Sequence, residues 1–140
     1  MSQNPSPRQL ASQWFQRLWN DHDESTIDQL MAPAARGLLE GGREVTGPAE
    51  FREFFRTLIT VFPDIKIDVQ DIAEEGDRAY VRWAASGTHC GDGLGLAATN
   101  KPHRFNGITW LKFADGKIVE GGDSWDQSGL LARMAACANS

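Results

Sequence analysis

The chain has 140 residues, 41% hydrophobic and 24% charged, the proportions of one soluble globular domain spanning 1–140. A formal net charge of −5 leaves no basic stripe to displace counterions from phosphates, which argues against nucleic acid as a partner. No apolar run approaches the ~20 residues that cross a bilayer. Met1-Ser2-Gln3-Asn4-Pro5 lacks the apolar core of a signal peptide, so the expectation is a cytoplasmic protein without a membrane partner. Cys90 and Cys137 form no spacing motif and read as free thiols. Five Trp and seven Phe are many for this length. An indole N–H needs a partner when buried, so such a set points to a large interface or a deep cavity lined by flat rings.

In chain order, Pro7 to Asn20 predicts an amphipathic helix, with Leu10, Trp14 and Leu18 at every fourth position and Phe15 and Trp19 beside them. Ser25 to Met31 predicts a second, short helix that Pro33 stops, and Arg36 to Glu40 a short strand before a Gly41-Gly42 turn. Gly47-Pro48 opens a third helix, proline being suited to the first helical turn. Phe51, Phe54, Phe55, Leu58, Ile59 and Phe62 follow a helical spacing until Pro63, an apolar face broad enough to need a sheet beneath it.

The rest reads as β structure. Ile65 to Val69 alternates with period two, Glu74 to Asp77 is a turn, and Arg78 to His89 is a long strand. Cys90 to Gly95 is a glycine loop. Strands at His103 to Phe113 and Ile118 to Trp125 flank an Asp115-Gly116 hairpin turn, and a helix runs from Gln127 to Ala136. Helices first and long antiparallel strands after them make an α+β class: three N-terminal helices packed on a curved antiparallel sheet, with a short C-terminal helix. A cone enclosing a cavity is the natural architecture.

The order and spacing of several short stretches carry a resemblance. They are Phe62-Pro63-Asp64-Ile65, Glu75-Gly76-Asp77-Arg78, Gly87-Thr88-His89-Cys90-Gly91, Phe105-Asn106-Gly107-Ile108, Asp115-Gly116-Lys117-Ile118-Val119-Glu120 and Asp123 through Leu131. From about Gly47 to Met134 the chain resembles the SnoaL-like polyketide cyclases, within the NTF2-like (cystatin-like α+β cone) superfamily. The resemblance implies a cone whose pocket takes a small hydrophobic molecule, and an aspartate on the last strand that drives intramolecular aldol closure with no cofactor and no metal. The family's first aspartate falls on Asp123, and a histidine of the Gly-Thr-His segment on His89. Three departures stand out: Thr109 where relatives often carry His or Asp, Gly121-Gly122 where His-Trp precedes the aspartate, and a longer glycine loop after His89.

Two carboxylates compete for the catalytic role. Asp126 precedes Gln127-Ser128-Gly129, where a helix N-cap is wanted, and Asp caps well. Asp123 has no such local task and shares strand parity with Val119, Gly121 and Trp125, although a bulge at Gly121-Gly122 would shift that parity. His89 alternates onto the face of Trp83, Ala85 and Gly87 and is the candidate to stabilise an enolate. Burial beside Trp125 is expected to raise the Asp123 pKa toward that of a useful base. Trp83, Thr109, Leu111 and Trp125 are expected on the cavity face, with Phe15, Trp19, Phe55 and Ile59 reaching in from helices. Three scattered histidines show no metal-ligand spacing.

The leading expectation is therefore a cofactor-independent cyclase with Asp123 as general base on an apolar carbonyl compound. The alternatives are a ketosteroid-isomerase-like reaction in the same pocket and a non-catalytic protein that binds a small hydrophobic ligand. An epoxide hydrolase needs Asp-Arg-Asp, and Arg104-Phe105-Asn106 offers an amide where an acid is required. A homodimer is expected through the outer sheet face, using Trp110 and Lys112.

Overall fold

A computed structural model describes residues 5–39, 42–90 and 98–138. Helix α1 (Pro7–Gln13) starts at a reciprocal cap. Gln9 N–H donates to Ser6 Oγ at 3.2 Å while Ser6 N–H donates to Gln9 Oε1 at 2.9 Å. It then runs on as a π-helix (Trp14–Asn20), whose last bond is Asp21 N–H to the Gln16 carbonyl at 2.9 Å. Trp14, Phe15, Leu18 and Trp19 are all buried along it.

Helix α2 (Ser25–Leu30) ends one residue before the predicted Met31 and passes directly into strand β1 (Met31–Leu38). Pro33 thus lies in a strand rather than stopping a helix. It sits where the pairing of β1 with the last strand is interrupted between Met31 and Arg36, so no ladder bond needs its missing N–H. Strand β2 (Glu44–Thr46) leads to α3 (Gly47–Val61), then come β3 (Lys66–Glu75), β4 (Arg78–Thr88), β5 (Pro102–Ala114), β6 (Lys117–Trp125) and α4 (Gln127–Ala138). β3 runs beyond the predicted Val69 as an exposed edge strand carrying Asp71, Glu74 and Glu75, charges that oppose edge-to-edge pairing. The hairpin at Asp115 and Gly116 has positive φ at both residues (54° and 77°), the geometry expected of Asp-Gly. The predicted turn at Gly41 and glycine loop over 91–95 fall outside the described residues.

The six strands form one sheet in the order β2-β1-β6-β5-β4-β3. It is not wholly antiparallel as expected: β1 runs parallel to β6, because α2 delivers the chain to the same end of the sheet from which β6 starts. Lys112 faces Glu120 while Phe113 faces Ile118, so Val119 is a bulge residue. The parity predicted for Asp123 therefore holds back to Gly121, and beyond the bulge it passes to Ile118, which is buried, rather than to Val119.

α1, its π-helical continuation and α3 cover one face of the sheet through a cluster of rings. Trp14 and Phe51 have centroids 5.3 Å apart, as do Trp19 and Phe55. Phe62 is fully buried against Gly87, where an added Cβ would stand 2.9 Å from the phenylalanine Cβ. The opposite sheet face leaves Leu38, Tyr80 and Ile108 exposed at 47%, 40% and 50%. Cys90 is an exposed free thiol. Among the described residues no helix is long and apolar enough to cross a membrane.

Candidate active site

Cross-strand register builds the site in rows on the helix-covered face. Asp123 on β6 lies opposite Thr109 on β5, which lies opposite Val81 on β4. In the next row Trp125, Gly107 and Trp83 stand side by side. On the other side of Asp123, Val45, Gly37, Gly121 and Leu111 form a row across β2, β1, β6 and β5, with two adjacent positions bare of side chain. Here Gly121 joins Gly37 in a backbone floor beside the carboxylate.

These rows form one wall of a cavity with an open mouth. Trp14, Phe15, Trp19, Phe51, Phe54 and Leu58 face the wall from the helices. Of the residues proposed from sequence, Phe15, Trp19, Trp83, Thr109, Leu111, Trp125 and Asp123 line this cavity. Phe55 and Ile59 do not: α3 turns Phe51, Phe54 and Leu58 to the opening, while Phe55 is buried in the core and Ile59 packs against it. Trp14, Phe51 and Phe54 line it without having been expected to.

Two hydrogen bonds in series run along the polar part of the wall. Trp83 Nε1–H donates to Thr109 Oγ1 at 2.9 Å, and the Thr109 hydroxyl donates to Asp123 Oδ1 at 2.7 Å. Among the described residues, Asp123 is the only carboxylate lining the cavity. Asp126 does the structural task expected of a cap: its Oδ1 accepts the Gly129 N–H at 2.9 Å at the start of α4. Arg104 and Asn106 alternate to the exposed face of β5, away from Asp123.

His89 does not join Asp123. It is 0% exposed, with its ring 6.1 Å from those of both Phe62 and His103, and it lies outside the cavity lining. Its Nδ1 accepts the Thr99 N–H at 3.3 Å, and Thr99 Oγ1 lies 3.1 Å from that nitrogen and 3.3 Å from His103 Nε2. Burial first, then the nearby His89 and Arg133, hold the His103 imidazole below its ordinary value of 6.5. The fold thus favours the neutral ring. Above the ordinary value neither folded nor unfolded chain is charged here; as pH falls below it, the unfolded chain takes the proton first and stability drops until pH passes the folded value. His103→Gln is expected to flatten the decline of Tm on the acid side of about pH 6.5. Superimposable Tm–pH curves for the two proteins would remove His103 from this account.

With the wall, the cavity and the carboxylate in place, comparison with known proteins is informative. The family model of SnoaL-like polyketide cyclases matches residues 9–134, most of the chain. The chain belongs to this family. No curated protein sequence matches it. A SnoaL-like polyketide cyclase candidate from Jannaschia sp. CCS1 superposes with a TM-score of 0.87 at 22% identity, covering 96% of this chain and 99% of that one, a likeness of fold. IdmH from Streptomyces antibioticus, named as a candidate polyketide cyclase, is 26% identical with a TM-score of 0.81, over 94% of this chain and 99% of its own. AclR from Streptomyces galilaeus, named instead as a candidate hydroxylase, is 28% identical with a TM-score of 0.82, over 93% and 96%. Proteins of one fold thus carry different activity names, and the reaction has to be argued from the site.

Proposed function

We propose that this protein is a cofactor-independent cyclase that closes a ring in a flat, apolar carbonyl compound, with Asp123 as general base. The observation that carries the reading is the placement of one carboxylate in the wall of a cavity lined mostly by rings, aliphatic side chains and bare backbone, with Thr109 and Arg36 as its other polar side chains. The Asp123 carboxylate takes a proton from a carbon α to a carbonyl, leaving an enolate. The enolate carbon attacks a second carbonyl of the same molecule, and the new alkoxide recovers the proton from Asp123. Aromatic walls from α3 and the π-helix hold the substrate folded, so that orientation supplies much of the rate. His89 has no part in this step, because it is buried against Phe62 and Thr99 outside the cavity lining.

The test is deuterium uptake at the acidic carbon of a panel of β-keto esters and anthraquinone-like ketones. Catalysed uptake supports the base. Uptake with double-bond migration and no ring closure on any substrate would favour the isomerase-like alternative. Ligands that bind and never exchange would replace the enzyme with a small-hydrophobic-ligand binding protein.

The same reading includes a homodimer through the outer sheet face. Leu38, Gly122, Trp110 and Tyr80 fall in one row across four strands, with Ile108 beside them. An apolar row of that kind on a sheet is the sort of surface a second copy covers. Sedimentation is expected to give a dimer at micromolar concentration and a shift toward monomer for Tyr80→Lys; a monomeric wild type rejects it.

A further inference from the structure

The geometry points to Thr109 as the residue that positions the base, with Trp83 fixing the direction of its hydroxyl. It rests on the reading of Asp123 as base and adds how that base is held. An indole nitrogen donates and never accepts. Trp83 Nε1–H therefore occupies an acceptor site of Thr109 Oγ1, and the hydroxyl's single proton goes to Asp123 Oδ1. Trp83 and Thr109 are both buried, 5% exposed, so water does not compete for either bond.

The register makes the arrangement rigid. Thr109 lies directly opposite Asp123, while Trp83 sits one row over, opposite Gly107, and reaches across the bare glycine to the hydroxyl. A β-branched threonine has few χ1 wells in a strand, which fixes the oxygen further. The consequence is chemical. Oδ1 faces a donated hydrogen, so the carboxylate is held in one rotamer and presented to the cavity without reorganising at the moment of proton transfer. Thr109 stands where the resemblance leads one to expect His or Asp, groups that titrate. A hydroxyl pinned by an indole holds the carboxylate through a group that does not itself titrate near neutral pH.

The test compares Thr109→Val, Thr109→Ser, Trp83→Phe and the Trp83→Phe/Thr109→Val pair in the exchange assay with 2-acetylnaphthalene. Thr109→Val is expected to lower kcat about 10- to 100-fold, the range for a misplaced catalytic group, with KM little changed. Thr109→Ser keeps the hydroxyl and is expected to restore most of kcat. Trp83→Phe is expected to give a smaller loss, and the double variant no further loss beyond Thr109→Val, since both act through one hydroxyl. Failure of serine to rescue, or additive losses, overturns the positioning role.

A second readout needs no turnover. The Trp83 indole N–H proton resonance is expected to move when either Thr109 becomes Val or Asp123, the far end of the hydrogen-bond chain, becomes Ala. A resonance that responds to neither change overturns the relay. If it responds while the wild type exchanges no substrate, the relay stands and the assignment of Asp123 as base falls.

Discussion

Asp123→Asn is expected to abolish most catalysis of proton exchange while leaving the protein folded and able to bind ligand. The amide has the shape of the carboxylate, and its oxygen still accepts from the Thr109 hydroxyl that now donates at 2.7 Å. What it loses is basicity: an amide does not accept a proton from a carbon acid near neutral pH. General-base catalysis contributes about 10²- to 10⁴-fold, and a loss in that range is the expected outcome. Ligand affinity, followed by quenching of the cavity tryptophans, is expected to stay at the wild-type level, because apolar groups supply most of the lining. A variant that binds and turns over like wild type would leave the cavity intact as a site and remove Asp123 from the chemistry.

The second large effect is structural and sits one row away. Gly107 lies between Trp125 and Trp83 across the sheet. A Cβ there would stand 2.6 Å from the Ser124 carbonyl oxygen, 2.6 Å from Trp125 Cβ and 2.8 Å from Trp83 Cζ2. The first contact is with backbone and cannot rotate away, and the other two are buried indole side chains that define the wall. Gly107→Ala is therefore expected to destabilise the fold at the upper end of overpacking costs, about 3 kcal/mol, or roughly 10 °C in Tm. It also pushes the ring that holds Thr109, so residual activity is expected to fall even in the fraction that stays folded. An unchanged Tm would mean that β5 and β6 separate more easily than this packing allows. Gly122→Ala is a useful contrast. Its nearest obstacle, Trp110 Nε1, belongs to a side chain on the open face of the sheet, one that can swing aside at lower cost.

Much of the fold is legible in the residues, for reasons that differ by element. α3 announces itself through Gly47-Pro48 and an unbroken helical run of Phe and Leu, and β5–β6 through alternation around Asp115-Gly116. Asp123 and Asp126 can be separated because capping is local: Asp126 is three residues before the Gly129 N–H it accepts. β1 is longer than its residues suggest because Pro33 stops a helix as well as a regular strand, and only the interrupted register with β6 shows which it does. The bulge falls at Val119 although Gly121-Gly122 invites one two residues later. Glycine in a strand often marks a bulge, but here the pair serves the cavity floor and makes room for Trp110 instead.

The site is legible where strand parity controls direction and illegible where a helix face has to be chosen. Trp83, Thr109, Leu111 and Trp125 all reach the cavity because alternation leaves two options and burial decides between them. Phe54 rather than Phe55 lines the opening because α3 carries apolar residues over so wide an arc that spacing does not say which stripe meets the sheet. His89 has the right parity and sits at the end of β4, beyond the pairing of Thr88 with Pro102, where Thr99 and Phe62 enclose it. Parity tells which face a side chain takes, not how far along the strand the cavity extends.

The most direct test of the central claim is a crystal structure with 2-acetylnaphthalene or a close flat ketone bound. The account predicts the rings lying between the Gly37–Gly121 floor and the Trp14, Phe51 and Phe54 rings, with the acidic carbon roughly 3–3.5 Å from an Asp123 carboxylate oxygen. A ligand that fills the cavity with that carbon out of reach of Asp123, or that binds elsewhere on the protein, would contradict it.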